Sequence, residues 1–335
     1  MRSSRGTLVA EKAGASDVIR IGTRASELAL RQAALVESAL VARGLTVEIV
    51  RIRTTGDKKT QEPLSSIGAK GLFTKELESA LLRKKVDCCV HSLKDLPTEQ
   101  PDELELVAIL EREDPRDVLV INPVTDASSL ADLPAGSRVG TSSLRRRAQL
   151  LAARPDLDVV DMRGNVPTRL RKMDEGKFHA AVLAAAGLIR LGARQRIGAF
   201  LEAPQWLPAA GQGAIAVQMR SSDDSMRALL APLDHAPTRM VVSAERAFLA
   251  ALEGGCQVPI GALAMASADS DGAYMLHGLI SDIAGQNIVR GSRAVDLNDP
   301  ERSGRELAAD IRARGGSSIL AELREAGPIT PPQPE

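Results

Sequence analysis

Cys256 stands in the run GGCQV, residues 254 to 258, between a glycine pair and a Gln-Val-Pro turn. A buried cysteine acts as a small apolar residue and normally sits within an apolar run. Cys256 instead lies where the backbone bends and a thiol stays accessible. The other two cysteines, Cys88 and Cys89, are adjacent in DCCVHS (87–92). They would face opposite sides of an extended strand and read as core.

Three other places combine glycine, a hydroxyl residue and arginine: GTRAS (22–26), GTSSLRRR (140–147) and RGNVPTRLR (163–171). Each follows an apolar run and opens a helical one, which is where free N–H groups attract anions. Arginine runs on helices usually face solvent. The triplet Arg145–Arg147, however, occupies the first turn after Ser142 and Ser143, where the macrodipole disfavours cations by a few tenths of a kcal/mol. An anionic ligand would remove that conflict, and guanidinium groups suit bidentate capture of carboxylate or phosphate. With Arg24, Arg163 and Arg169 at the other two turns, the pattern predicts a ligand carrying several acidic groups.

VHSLKDLP (90–97) adds a reactive pair. Lys94 and Asp95 precede Pro97 and belong to a strand-end loop. A carboxylate among so many cations stays ionised and can hold a cationic or N–H-rich centre; the alternative is a turn in which Asp95 caps its own backbone. His91 reads as a packed strand-end histidine.

These residues need strands that end together. VIRIGT (18–23), TVEIVRI and DCCVHS read as strands, with helices over SELALRQAALVESALVARG and GLFTKELESALLRKKV between them. In the first helix Leu28, Leu35, Val36 and Ala39 are expected on the buried face. After EREDPRD the same βαβ rhythm recurs: VLVIN, SRVGTS (137–142), SLRRRAQLLAAR, LDVVDM, PTRLRKMDEG and HAAVLAA. IAVQM could return to the first sheet. From about residue 237 the pattern becomes a helix, three strand-like runs with turn signals at DSDG and AGQN, and a closing helical stretch. The reading is α/β plus α+β. Domain 1 would take 17–113 and 214–233, domain 2 would take 114–213, and a small third domain 237–328. Residues 1–16 and 329–335 are expected to be disordered ends.

Composition sets outer bounds. The chain has 335 residues, is 44% hydrophobic, and carries 43 basic against 43 acidic residues. That length needs more than one core. Zero net charge and 2% aromatic content argue against a general nucleic-acid or membrane affinity. No apolar run approaches the ~18 residues of a membrane span, and the first residues lack the apolar stretch of a secretory signal, so a cytoplasmic location is expected. Three cysteines without a Cys-x-x-Cys pair, and four unpaired histidines, predict neither a disulfide framework nor a metal site.

IGTRASELAL, GAKGLFTKELE, VHSLKDLPT, EREDPRD, GTSSLRRR, RGNVPTRLRKMDEG, AAAGLIRLG, PAAGQGA and GGCQVPIG occur in an order and spacing that resemble the porphobilinogen deaminase (hydroxymethylbilane synthase) family, from about residue 18 to 325. The resemblance implies two α/β domains similar to the halves of a periplasmic binding protein, and a third domain bearing the cysteine. It implies a transferase that joins four porphobilinogen molecules head to tail, releases ammonia at each step, and frees linear 1-hydroxymethylbilane on the way to haem and other tetrapyrroles. A dipyrromethane cofactor, held by Cys256 through a thioether, would prime the chain.

By the same match, Asp95 would be catalytic, stabilising positive charge beside pyrrole N–H groups, and would contact the cofactor. Lys94, Ser142, Arg145 and Arg146 would hold the cofactor. Arg24, Ser26, Lys70, Thr141, Ser143, Arg163, Arg169 and Arg190 would serve the substrate. A monomer with porphobilinogen as its small-molecule partner, and without nucleic acid or membrane, is implied. Pro167 and His179 depart from the family pattern; proline suits the first turn of a helix. A solute-binding protein would share the two-lobed plan without needing Cys256. A nucleic-acid-binding module would use the arginines but lacks stacking aromatics.

Overall fold

A computed structural model describes residues 18–55, 74–252, 258–267 and 272–326. Cys256, Lys70, part of the DSDG turn and the two expected disordered ends lie outside them. The chain begins with β1 (Ile19–Arg24), α1 (Glu27–Val41), β2 (Val47–Ile52), α2 (Lys75–Leu82), β3 (Cys88–Ser92) and β4 (Leu104–Ile109). It continues through β5 (Asp117–Ile121), β6 (Arg138–Gly140), α3 (Leu144–Ala153), β7 (Asp158–Val160), α4 (Val166–Asp174), β8 (Ala180–Ala184), α5 (Ala185–Arg190) and β9 (Ala199–Leu201). β10 (Ile215–Arg220) and α6 (Asp224–Leu230) come next. The remainder is α7 (Ala236–Ala251), β11 (Ile260–Ala266), β12 (Tyr274–Ser281), β13 (Ile288–Ala294), α8 (Pro300–Ile311) and α9 (Ser317–Glu325).

Two sheets share one plan, β2-β1-β3-β10-β4 and β7-β6-β8-β5-β9. In each, a parallel trio formed by βαβ crossovers is followed by an antiparallel strand and an edge strand. The antiparallel strand is the one arriving from the other sheet: β5 follows β4, and β10 follows β9. IAVQM therefore does return to the first sheet. The edge strands β4 and β9 were not anticipated, because LELVAI mixes charge with apolar residues and AFL is too short to show a period.

The two crossings lie side by side. Leu110 N donates to Ile215 O at 3.0 Å, Glu113 N to Gly213 O at 3.2 Å, and Arg112 Nε to Gln212 O at 2.8 Å. A fully buried carboxylate, Glu245 of α7, clamps this seam. It accepts Arg112 Nη1 at 2.6 Å and Nη2 at 3.0 Å, together with Gly211 N at 2.7 Å and Ala264 N of β11 at 2.9 Å. The C-terminal antiparallel sheet β11-β12-β13, covered by α7 and α8, is thereby tied to the crossings.

Local chemistry explains the helix starts. Ser26, Ser143 and Asn165 each accept a backbone N–H of the first turn of α1, α3 and α4, and Pro167 fits in the first turn of α4. One expectation fails. α1 buries Ala29, Gln32, Ala33, Val36 and Leu40, while Leu35 is 48% exposed and Leu28 and Ala39 are only half-buried. Apolar residues surround this helix on nearly every side, so periodicity alone does not select a face. Packing against the sheet favours the stripe with the smaller alanines. Cys88 and Cys89 do occupy opposite faces of the first sheet, one packed with Val36 and Leu40 and the other with Leu77 and Leu81.

Candidate active site

The loop before α3 is held by its own hydroxyls. Thr141 Oγ1 accepts Ser143 N at 3.2 Å, Ser142 Oγ donates to Met162 O at 2.8 Å, and Ser143 Oγ accepts Arg146 N at 3.4 Å. These bonds present Arg145 and Arg146 at the junction of the two sheets. Both are buried against Asp117, the first residue of β5, which is itself fully buried. Arg145 Nη1 lies 2.6 Å from Asp117 Oδ2, and Arg146 Nε and Nη2 lie 3.1 and 2.7 Å from Oδ1. Trp206 Nε1 adds a bond to Oδ2 at 2.9 Å, and Gln212 Nε2 one to Oδ1 at 2.8 Å. Burial pushes the Asp117 carboxyl upward, but the two guanidinium groups outweigh it and hold it well below the usual carboxylate range.

Gln212 carries this cluster to the first sheet. Its Nε2 donates to Pro115 O at 2.7 Å as well as to Asp117, while its Oε1 accepts Lys94 Nζ at 3.1 Å. Lys94 is in the short 3-10 turn Leu93–Asp95 that follows β3. Burial lowers its ammonium pKa to about 8; Asp95 opposes the shift, and the positive Arg146 adds to it. Asp95 itself is exposed and accepts no side-chain hydrogen bond among the described residues, so it does not cap its own turn.

The turn is anchored from behind. Leu93 N donates to Ala214 O at 3.0 Å. Arg246 of α7 reaches the carbonyls of Leu96 at 3.3 Å, Pro97 at 2.7 Å and Thr98 at 3.2 Å. His91 is buried beside the turn, as expected, and burial pushes its pKa down to about 4.

The remaining arginines extend the cationic surface. Arg169 Nε donates to Gly164 O at 2.8 Å, and its pKa is lowered to about 10 by burial and by Arg146, with Arg163 also contributing. Arg24, the last residue of β1, lies close enough to His91 to repel its proton. The starts of α1, α4 and α5 converge: a Cβ on Gly187 would lie 3.5 Å from Val166 and 3.7 Å from Leu28. The strand-end turns that carry Arg24 and Ser26, and Arg163 and Arg169, thus face one junction. Arg190 is turned to the crossing instead, with Nη2 2.7 Å from Gly213 O. Arg147, third of the triplet, is spent on Val159 O.

Asp117 and Gln212 are central here and were not singled out in the sequence. Asp117 closes EREDPRD, and Gln212 lies within PAAGQGA, two of the segments already noted. An acidic residue opening an apolar strand is the signal that could have drawn attention to Asp117. No group of three or more His, Cys, Asp or Glu residues able to hold a metal occurs among the described residues, and no described helix is long and apolar enough to cross a membrane.

The fold and site define a two-lobed α/β protein, with a C-terminal α+β unit, whose lobes meet at a buried cationic junction. Family models match at residues 19–228, the porphobilinogen deaminase dipyrromethane cofactor binding domain, and at residues 240–313, the porphobilinogen deaminase C-terminal domain. Porphobilinogen deaminase from Syntrophobacter fumaroxidans is 48% identical over 311 residues, covering 92% of this chain and 99% of that protein. The protein of that name from Moorella thermoacetica is 50% identical over 308 residues, covering 91% and 96%. A periplasmic substrate-binding protein of an ABC transporter from Coxiella burnetii aligns at a TM-score of 0.41 and 15% identity, over 68% of this chain and 97% of that one. The chain belongs to the porphobilinogen deaminase family.

Proposed function

We propose that this chain is the transferase of tetrapyrrole biosynthesis that condenses four porphobilinogen molecules head to tail, with release of ammonia, into linear 1-hydroxymethylbilane. The observation that carries the reading is the junction itself. Lys94, Arg145, Arg146 and Arg169 are brought close together, and the carboxylates beside them, Asp117, Asp161 and the exposed Asp95, offset only part of their charge. Burying cations in excess is costly unless an anion completes the set. A dipyrromethane bearing acetate and propionate groups is such an anion. When bound, it supplies the primer on which the product is built.

The residues take these parts. Cys256 holds the cofactor through a thioether; its segment joins α7 to β11, both tied to the crossings through Glu245. Burial pushes the Cys88 thiol up to about 12 and the Cys89 thiol higher than its usual range as well, so neither offers a thiolate at neutral pH. Lys94 and Arg145 pair with cofactor carboxylates, and Arg146 supports them. Arg24, Arg163 and Arg169, with Lys70, receive substrate carboxylates. Ser142 helps to hold the cofactor, and Ser26, Thr141, Ser143 and Arg190 serve the substrate, while the same hydroxyls shape the helix starts and Arg190 also steadies the crossing. Asp95, exposed beside this array, stabilises the positive charge that develops on a pyrrole ring as ammonia leaves, and moves its protons. The protein acts as a cytoplasmic monomer, and its balanced net charge argues against a general affinity for nucleic acid. Segments 17–113 with 214–233, 114–213 and 237–328 form its three domains.

The intact mass of the denatured protein tests the assignment. The wild-type chain should exceed its bare mass by a dipyrromethane and release ammonia from porphobilinogen. Cys256→Ala should show the bare mass and no release. Asp95→Asn should keep the added mass but release ammonia at least about a hundredfold more slowly. Turnover by Cys256→Ala would overturn the reading.

A further inference from the structure

Gln218 is fully buried in β10, an interior strand of the first sheet. An amide placed there costs stability unless its groups are bonded. Its Nε2 donates to Gln100 Oε1 at 2.8 Å, and Gln100 Nε2 donates in turn to Pro97 O at 2.7 Å. Its Oε1 is buried without a partner among the described residues, and so is Nε2 of His91. The two side chains share one face of the sheet, since His91 lies opposite Ala216 and Gln218 lies opposite Cys89. Burial depresses the His91 pKa, and the Gln218 amide beside it acts in the opposite sense. An amide oxygen and a ring nitrogen that can donate are complementary, so a neutral His91 with its proton on Nε2 satisfies both. The sheet is also irregular here. β10 pairs with β4 through Val217–Ala108 and Gln218–Leu106, which leaves Val107 as an extra residue. Such bulges re-aim side chains and recur next to active sites.

We propose that His91, Gln218 and Gln100 form a line of positioning residues that ends on the Pro97 carbonyl and fixes where the Asp95 carboxylate points. Asp95 is exposed and has no side-chain hydrogen bond among the described residues, so its placement rests on the backbone of its turn. The entry to that turn is fixed by Leu93 N on Ala214 O at 3.0 Å. Its exit is fixed at Pro97 O, where Gln100 Nε2 meets Arg246 Nη2, both at 2.7 Å. Lys94 has a separate hold on Gln212 Oε1 at 3.1 Å. Loss of the line therefore disturbs Asp95 and spares Lys94, so the chemical step suffers and binding does not. The inference rests on the preceding reading in taking Asp95 as the group that acts on the pyrrole.

The test is a cycle in the full chain, Gln100→Leu, Gln218→Leu and both together, read by kcat and KM for porphobilinogen and by intact mass. Gln100 is half-buried, so Gln100→Leu should fold while removing the last donor of the line. Its kcat should fall about tenfold, with KM within about twofold of wild type and the dipyrromethane mass retained. Gln218→Leu should lose a similar or smaller factor. The double variant should be no worse than Gln100→Leu, because the upstream residue acts only through the last one. An unchanged kcat in Gln100→Leu, a KM rise as large as the fall in kcat, or factors that multiply in the double variant would each overturn the proposal. Should Gln218→Leu not fold, Gln100→Leu decides alone.

Hydrogen exchange gives a second readout that needs no substrate. Leu96 N donates to Leu93 O at 3.2 Å across the turn. That amide should exchange about tenfold faster in Gln100→Leu than in wild type, and an unchanged rate would overturn the proposal. If Asp95→Asn turned over at the wild-type rate, the catalytic reading of Asp95 would fall, and the exchange measurement would still decide whether the line holds the turn.

Discussion

Arg246 Nη2 lies 2.7 Å from the carbonyl oxygen of Pro97. The bond joins α7, which ends five residues before Cys256, to the turn that carries Lys94 and Asp95. One helix therefore leads to the cysteine and holds the carboxylate proposed to act beside it.

Replacing Arg246 by Leu leaves the carbonyls of Leu96, Pro97 and Thr98 without that donor in a part-buried place. Loss of about 2 kcal/mol of stability is expected. The turn should also loosen, so that kcat falls more than KM rises. Arg246→Lys, with a single donor head, should recover part of both. Urea unfolding and steady-state kinetics on the two variants check this.

Lys94 sets a pH dependence. Its pKa, lowered to about 8 by burial, rises again when a ligand carboxylate sits beside it. Below that pH it is charged with or without ligand. Above it, the cofactor-free protein must take up a proton to bind the dipyrromethane, so cofactor uptake should weaken as pH passes through about 8. The unliganded protein behaves oppositely. Its unfolded chain binds the extra proton between about 8 and the ordinary lysine value, so stability increases with pH in that window. A Lys94→Arg profile that keeps the same inflection would refute the assignment.

His91 governs part of the acid limb. Its folded pKa is depressed to about 4 by burial, so from the ordinary histidine value down to there the unfolded chain holds the extra proton. Stability should fall by on the order of 3 kcal/mol across that window as pH decreases. His91→Leu should flatten the slope between about pH 6.5 and pH 4 in urea titrations, and an unchanged slope would exclude His91 as its source.

Gly213 is the tightest point of the crossings. It has φ +88°, and a Cβ there would lie 2.3 Å from Glu113 O, a backbone atom that cannot swing away. Gly213→Ala should cost at least about 2 kcal/mol. It should also disturb the Gly213 carbonyl that accepts Arg190 and Glu113 N. Gly44→Ala offers a control: its φ of +81° is similar, but open space surrounds it, so only the backbone term applies. Thermal unfolding of the two variants should separate the terms.

Strand-end chemistry was readable along the chain because it is local. GTRAS, GTSSLRRR and RGNVPTRLR each place a hydroxyl or amide cap and an arginine within one turn, and Ser26, Ser143 and Asn165 cap the helices that follow. The alternation of strands and helices, and the return of IAVQM, followed from hydrophobic runs whose lengths match single strands. The buried face of α1 did not follow, since a helix apolar on most sides lets the sheet choose the stripe. For the Arg triplet, position in the first turn pointed to an anion. The first anion met is the protein's own Asp117, 28 residues from Arg145.

The sequence by itself determined the kinds of group available, their placement at strand ends and helix starts, and the family to which the chain belongs, because those depend on neighbours within a turn or on the order of motifs. Only the tertiary structure decided which cations are committed and which are open. Asp117 meets Arg145, Arg146, Trp206 and Gln212 because two strands change sheets and bring residues 117 and 206–212 side by side. Lys94 joins through Gln212, and Asp95 is left exposed beside them. Charge in a buried place is governed by what surrounds it within a few ångströms, and those surroundings come from segments about a hundred residues apart that only the folded chain brings together.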